Sequence, residues 1–87
     1  MAETQYKIKR TIWGIEGHRK PEAFLKGTYT KQEFFDVVFK KMQISKQQET
    51  LQHIHWEGDT KVVLSEYHSD IGFFSRTYEL TPLNDYY

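Results

Sequence analysis

The sequence predicts a single small α+β domain: an antiparallel β-sheet in the chain order β-β-α-β-β-β, with one amphipathic helix packed on one face. One stretch has unmistakable helical periodicity, several others alternate as strands do, and 87 residues are too few to divide into two cores. The helical stretch is Thr30 to Met42, TKQEFFDVVFKKM. Its apolar residues Phe34, Phe35, Val38, Phe39 and Met42 follow one another at intervals of one, three, one and three, which draws one stripe along a 3.6-residue turn. Thr30 and Glu33 have capping-box spacing: the hydroxyl serves the Glu33 amide and the carboxylate returns to the Thr30 amide. Lys40 and Lys41 would close the last turn against the helix dipole. The phenylalanines of this stripe are expected in the core.

Each strand follows from its own pattern. Tyr6 to Ile15 carries β-branched and aromatic residues, with Tyr6 and Ile8 alternating against Lys7 and Lys9, and Gly14 and Gly17 interrupting its far end. Residues 17 to 21 read as a loop closed by Pro21, and Glu22 to Tyr29 as a shorter returning strand. Beyond Met42, the polar run Lys46 to Thr50 has too little apolar content for a core and reads as a connection with at most one helical turn. Leu51 to Glu57 reads as a strand in preference to a helix begun at Ser45, because Gly58-Asp59 stands where a two-residue hairpin turn is needed and Lys61 to Tyr67 is strongly strand-like. Gly72 to Leu80 completes the meander, and residues 81 to 87 read as a short tail after Pro82.

Composition bounds function more than it reveals it. There is no cysteine, so disulfides, thiolate catalysis and cysteine-built zinc sites are excluded. Six Phe, six Tyr and two Trp supply the large buried areas on which a domain without such staples depends. No stretch is apolar enough for a signal peptide or a membrane span, so the expectation is a cytoplasmic protein without a membrane partner. Lys, Arg, Asp and Glu balance to a formal charge of zero, yet unevenly. Residues 1–46 hold ten cations against five anions and residues 47–87 two against seven, giving halves of +5 and −5. Such segregation makes either two opposed surfaces or two halves that neutralise each other in space.

A helix of about 18 Å cannot cover five strands spaced about 4.8 Å apart, so part of one sheet face is expected to stay open. Aromatics left there, from among Trp13, Tyr29, Trp56 and Tyr67, would form a contact surface. The first functional expectation is therefore a non-catalytic accessory, adaptor or inhibitor module that binds another protein. Its contact residues would be Glu57, Asp59, Glu66, Asp70, Trp56 and Tyr67, the carboxylates offering a polyanion-like strip. The alternative is an accessory protein that binds nucleic acid with Lys7, Lys9, Arg10, Arg19 and Lys20, cations that would grip phosphates beside stacking aromatics. It lacks a helix-turn-helix, a GXXG loop between helices and an RNP-type aromatic pattern.

A third reading is a small metal-dependent enzyme with a divalent metal at His53 and His55. On a strand these share a face with Glu57, and His68 and Asp70 would approach from the next strand, although a two-residue turn at Gly58-Asp59 sets His53 opposite Leu64. No serine stands in a glycine-flanked elbow and no glycine-rich loop leads into the helix, so neither catalytic residues nor a cofactor is expected. Monomer and homodimer are both compatible with the sequence.

Overall fold

The computed structural model describes residues 4–14, 19–70 and 72–83, with residues 19–22 described as backbone alone. Five strands and one helix follow in the order β1 (Tyr6–Gly14), β2 (Arg19–Phe24), α1 (Lys31–Gln47), β3 (Leu51–Glu57), β4 (Lys61–His68) and β5 (Gly72–Pro82). The strands form one antiparallel sheet in the order β2-β1-β5-β4-β3, so the predicted α+β class and chain order are those observed. The closing β5 lies in the middle of the sheet and leaves β2 and β3 at its edges. No helix among the described residues is long and apolar enough to cross a membrane.

The helix begins as its capping box dictates. The Glu33 amide donates to Thr30 Oγ1 at 3.1 Å, and the Thr30 amide donates to Glu33 Oε1 at 2.8 Å. It runs five residues past the expected end at Met42, through Gln43, Ile44, Ser45, Lys46 and Gln47, so Lys46 is the cation of the last turn. Its end is a Schellman motif. The Glu49 amide bonds Lys46 O at 3.1 Å and the Thr50 amide bonds Ser45 O at 3.0 Å. Glu49 holds the left-handed position at φ 58°, where glycine is usual, which explains why no glycine announced this terminus.

Three further boundaries differ from expectation. β2 starts at Arg19, so Arg19, Lys20 and Pro21 belong to an edge strand instead of a loop tip, and Tyr29 joins the sheet only through an isolated bridge to Tyr6. β5 continues through Thr81 and Pro82, which pair with Lys7 and Tyr6, so these two residues are not tail. The β3–β4 turn takes three residues, with Glu57 opposite Lys61. This shift of one sets His53 opposite Ser65, while Ile54 takes the place opposite Leu64. Gly58 opens that turn at φ +66°, a conformation that costs glycine nothing.

Alternation then assigns each described strand side chain to a face. Under the helix lie Ile8, Val62, Leu64, Tyr78 and Leu80, packed on Phe34, Val38 and Met42 to make the core. At the helix C-terminus the same face turns polar. The Glu66 carboxylate is buried there and accepts from Ser45 Oγ at 2.8 Å and Thr50 Oγ1 at 3.1 Å, with Arg76 Nε 3.3 Å from its second oxygen. Phe39 departs from its expected core position, being 56% exposed. It lies on the flank of the stripe and meets only Phe35 and Trp56 among the aromatic rings described.

Candidate protein-binding face

The face turned away from the helix is built from the other half of each alternation, and the registers stack it in rows across the strands. One row reads Phe24, Lys9, Glu79, Lys61, Glu57 from β2 to β3. Its charges alternate, with Lys9 Nζ 3.3 Å from Glu79 and Lys61 Nζ 3.4 Å from Glu57. The next is Thr11, Thr77, Val63, His55, followed by Trp13, Ser75, Ser65, His53. Phe73 opposite Tyr67 ends the face, their ring centroids 4.7 Å apart.

These last two rows leave large apolar side chains in solvent: Trp13 is 44%, Tyr67 42% and Phe73 58% exposed. Between Trp13 and Phe73, over the short side chains of Ser65 and Ser75, lies a shallow open depression of about 390 Å³. Small residues flanked by exposed rings, Trp13 in their own row and Phe73 in the next, make a recess because the rings stand higher than the serine hydroxymethyl groups. A cleft with apolar walls and a hydroxyl-bearing floor can take up one apolar side chain and satisfy a polar group beside it. A second cavity, about 550 Å³, is lined by Gln48, Glu49, Thr50, Tyr67, His68, Ser69 and Asp70 at the helix C-terminus.

The six residues expected to contact a protein do not form one surface. Glu57 and Tyr67 are on the open face. Trp56 is on the opposite face, half-buried against Phe34, Phe35 and Phe39. Asp59 and Asp70 occupy turns at opposite ends of β4, and Asp59 forms an ion pair with Lys31 of the helix. The expectation for Glu66 is corrected outright: at 1% exposure it has no surface to offer, because it falls in line with Val62 and Leu64 beneath the helix. That alternation was readable from the sequence. Phe73 was missed as a surface residue, although Ser75, Thr77 and Glu79 at two-residue spacing mark its side of β5 as the polar one.

The basic set also divides. Lys7 is buried and donates to Gly27 O at 2.6 Å, Lys9 pairs with Glu79, and Arg10 points to the helix-covered face. Arg19 and Lys20 pair through their backbones with Trp13 and Ile12, and their side chains lie outside the described residues. His53, His55 and Glu57 share the open face as alternation requires, with His55 Nε2 4.0 Å from Glu57 Oε1. His68 faces the other way, against Phe74. Among the described residues no group of three or more His, Asp or Glu side chains is placed to hold a metal ion. Comparison with protein-family models, with curated proteins and with solved structures gives no match.

Proposed function

We propose that this chain is a non-catalytic protein-protein interaction module of the cytoplasm, and that its docking surface is the open sheet face centred on the depression between Trp13 and Phe73. The observation that carries the reading is the set of exposed aromatics, Trp13, Phe73 and Tyr67, at one end of a face that the helix does not cover. Aromatic side chains beside a recess are what interface hot spots are made of, since each buries a large area at little rotamer cost. Beyond the intervening row of Thr11, Thr77, Val63 and His55, the charge row Lys9, Glu79, Lys61, Glu57 supplies a polar rim. This reading keeps Glu57 and Tyr67 from the sequence-based set and replaces Trp56 and Glu66 with Trp13 and Phe73.

The test is quantitative affinity capture with the purified chain and with W13S and F73S variants. Each variant should keep the wild-type melting temperature within a few degrees and lose any protein captured specifically by the wild type, with affinity falling at least thirtyfold, an interface hot-spot loss of roughly 2 kcal/mol. An unchanged set of captured proteins would sink the proposal. So would steeply salt-dependent binding of oligonucleotides by the wild type, which would point to stacking of bases on the same aromatics.

A further inference from the structure

The two edges of the sheet are guarded very differently. An edge strand offers unpaired amides and carbonyls to any other strand, and proteins blunt such edges with proline, lysine or a bulge. β2 has all three: Pro21 lacks an amide hydrogen, Arg19 and Lys20 precede it, and its ladder to β1 shifts register between Arg10 and Ile12. β3 shares the last of these, a register shift between Leu51 and His53, but its sequence LQHIHWE contains no proline, glycine, lysine or arginine, and among the described residues nothing pairs with its outer edge. On the helix side of that same strand stands the exposed Phe39, in contact with Trp56.

We propose that the occupant of this edge is a second copy of the chain, paired antiparallel to β3 about a two-fold axis at His55. Two arguments place the axis there. The first is backbone regularity. The β3–β4 ladder shifts register between Leu51 and His53, so the regular part of the strand is residues 53–57, and His55 is its midpoint. A dyad at any other residue wastes part of that stretch or runs into the irregularity.

The second argument is side-chain complementarity. With His55 on the axis, residue i faces residue 110 − i of the second copy. Trp56 then lies opposite the second copy's Ile54 on the helix side, where both are half-buried and Trp56 touches Phe39. Glu57 lies opposite the second copy's His53 on the open side, where both are exposed, so a carboxylate meets an imidazole rather than a like charge. Each pair occurs twice. A dyad at Ile54 would instead set Trp56 against Gln52 and Glu57 against Leu51, with neither match. The result is a continuous ten-stranded sheet with a helix from each copy on one side, and it leaves the Trp13–Phe73 face free for the partner proposed above.

Absence of cysteine makes the register directly testable, since any single cysteine variant has one thiol. Residues facing themselves across an antiparallel dyad have Cα atoms about 4.5–5.5 Å apart, within disulfide range. Under mild oxidation H55C should therefore form a covalent dimer at least tenfold faster than H53C, I54C or E57C. Wild type should sediment as a reversible dimer with a dissociation constant on the order of tens of micromolar, as suits a small interface. H53E and E57K should each weaken it about tenfold, because each substitution counts twice, and the double variant H53E/E57K should restore it. Far-UV circular dichroism confirms that each variant is folded. A wild type that stays monomeric at millimolar concentration, fastest cross-linking at a position other than His55, or a double variant no better than its parents would each overturn the proposal.

Discussion

The two faces of this sheet draw on the same five strands and reach opposite ends. Beneath the helix, Ile8, Val62, Leu64, Tyr78 and Leu80 are removed from water almost completely, and even the polar residue Glu66 is buried with partners. On the other face, charged and hydroxyl side chains pair across strands in ladders, yet the aromatic rows at its end keep Trp13, Tyr67 and Phe73 substantially in solvent. Aromatic content therefore divides into two uses. One part builds the core, and the rest forms a patch of rings that stays substantially in solvent.

The largest expected effect breaks or secures that division. Phe34→Ala should cost about 3–5 kcal/mol, because it empties a fully buried site between the helix and Trp56. For a domain of this size each kilocalorie is worth roughly 4–8 °C in melting temperature, so the loss is plain in a thermal melt. Phe73→Ala, on the open face, should shift stability by no more than about 0.5 kcal/mol. Equal destabilisation by the two would mean that the open face is structural, and the docking proposal would lose its basis.

How far the sequence could anticipate this depended on whether a signal was local. The helix start was legible because Thr30 and Glu33 complete their capping box within one turn. Its end was not, because Ser45 is a polar residue at a core position, and its reason for being there is Glu66, 21 residues away. Strand alternation correctly put His53, His55 and Glu57 on one face. The turn length between β3 and β4 was misjudged by one residue, and that alone changes every cross-strand partner in the hairpin. Periodicity alone marks the whole phenylalanine stripe as core, but a helix lying on a sheet buries only the centre of its stripe. Phe34 and Val38 sit there, whereas Phe39 rides on the flank. The open face of the candidate site was foreseen from helix width, while its particular residues required the register.

The next effect in size concerns the polar end of the covered face. Glu66→Ala removes the acceptor for Ser45 and Thr50 and the anionic neighbour of Arg76, and should cost roughly 2–3 kcal/mol. The figure is held below that of a fully buried ion pair because the Arg76 side chain retains 34% exposure. Glu66→Gln keeps an oxygen for the two hydroxyls but puts an NH2 group where the second carboxylate oxygen faces Arg76, so it should cost about 1 kcal/mol. Chemical denaturation of the pair separates the two hydroxyl hydrogen bonds from the contact with Arg76. A neutral Glu66→Ala would show that the helix C-terminus is held by its Schellman motif alone, and the covered face would then be secured only by its apolar half.

The smallest effect lies at the other end of the same helix, where the tie is exposed. Asp59 in the β3–β4 turn pairs with Lys31, and the hydrogen bond from the lysine, aided by its charge and opposed by some desolvation, holds the Asp59 carboxyl below its ordinary value of 3.8. A carboxylate with a depressed folded pKa contributes stability that is fully present above 3.8 and fades as pH falls through the lower, folded value. Asp59→Asn should consequently melt slightly below wild type at neutral pH, and the two curves should converge as the pH falls through the lowered, folded value. Added salt should close the same gap at neutral pH, since an exposed pair is screened where the buried Glu66 cluster is not. If the gap survives both acid and salt, Asp59 acts through turn geometry instead of charge. The helix would then be anchored at its N-terminal end by the capping box and Phe34 alone, which makes Phe34→Ala more damaging than burial by itself predicts.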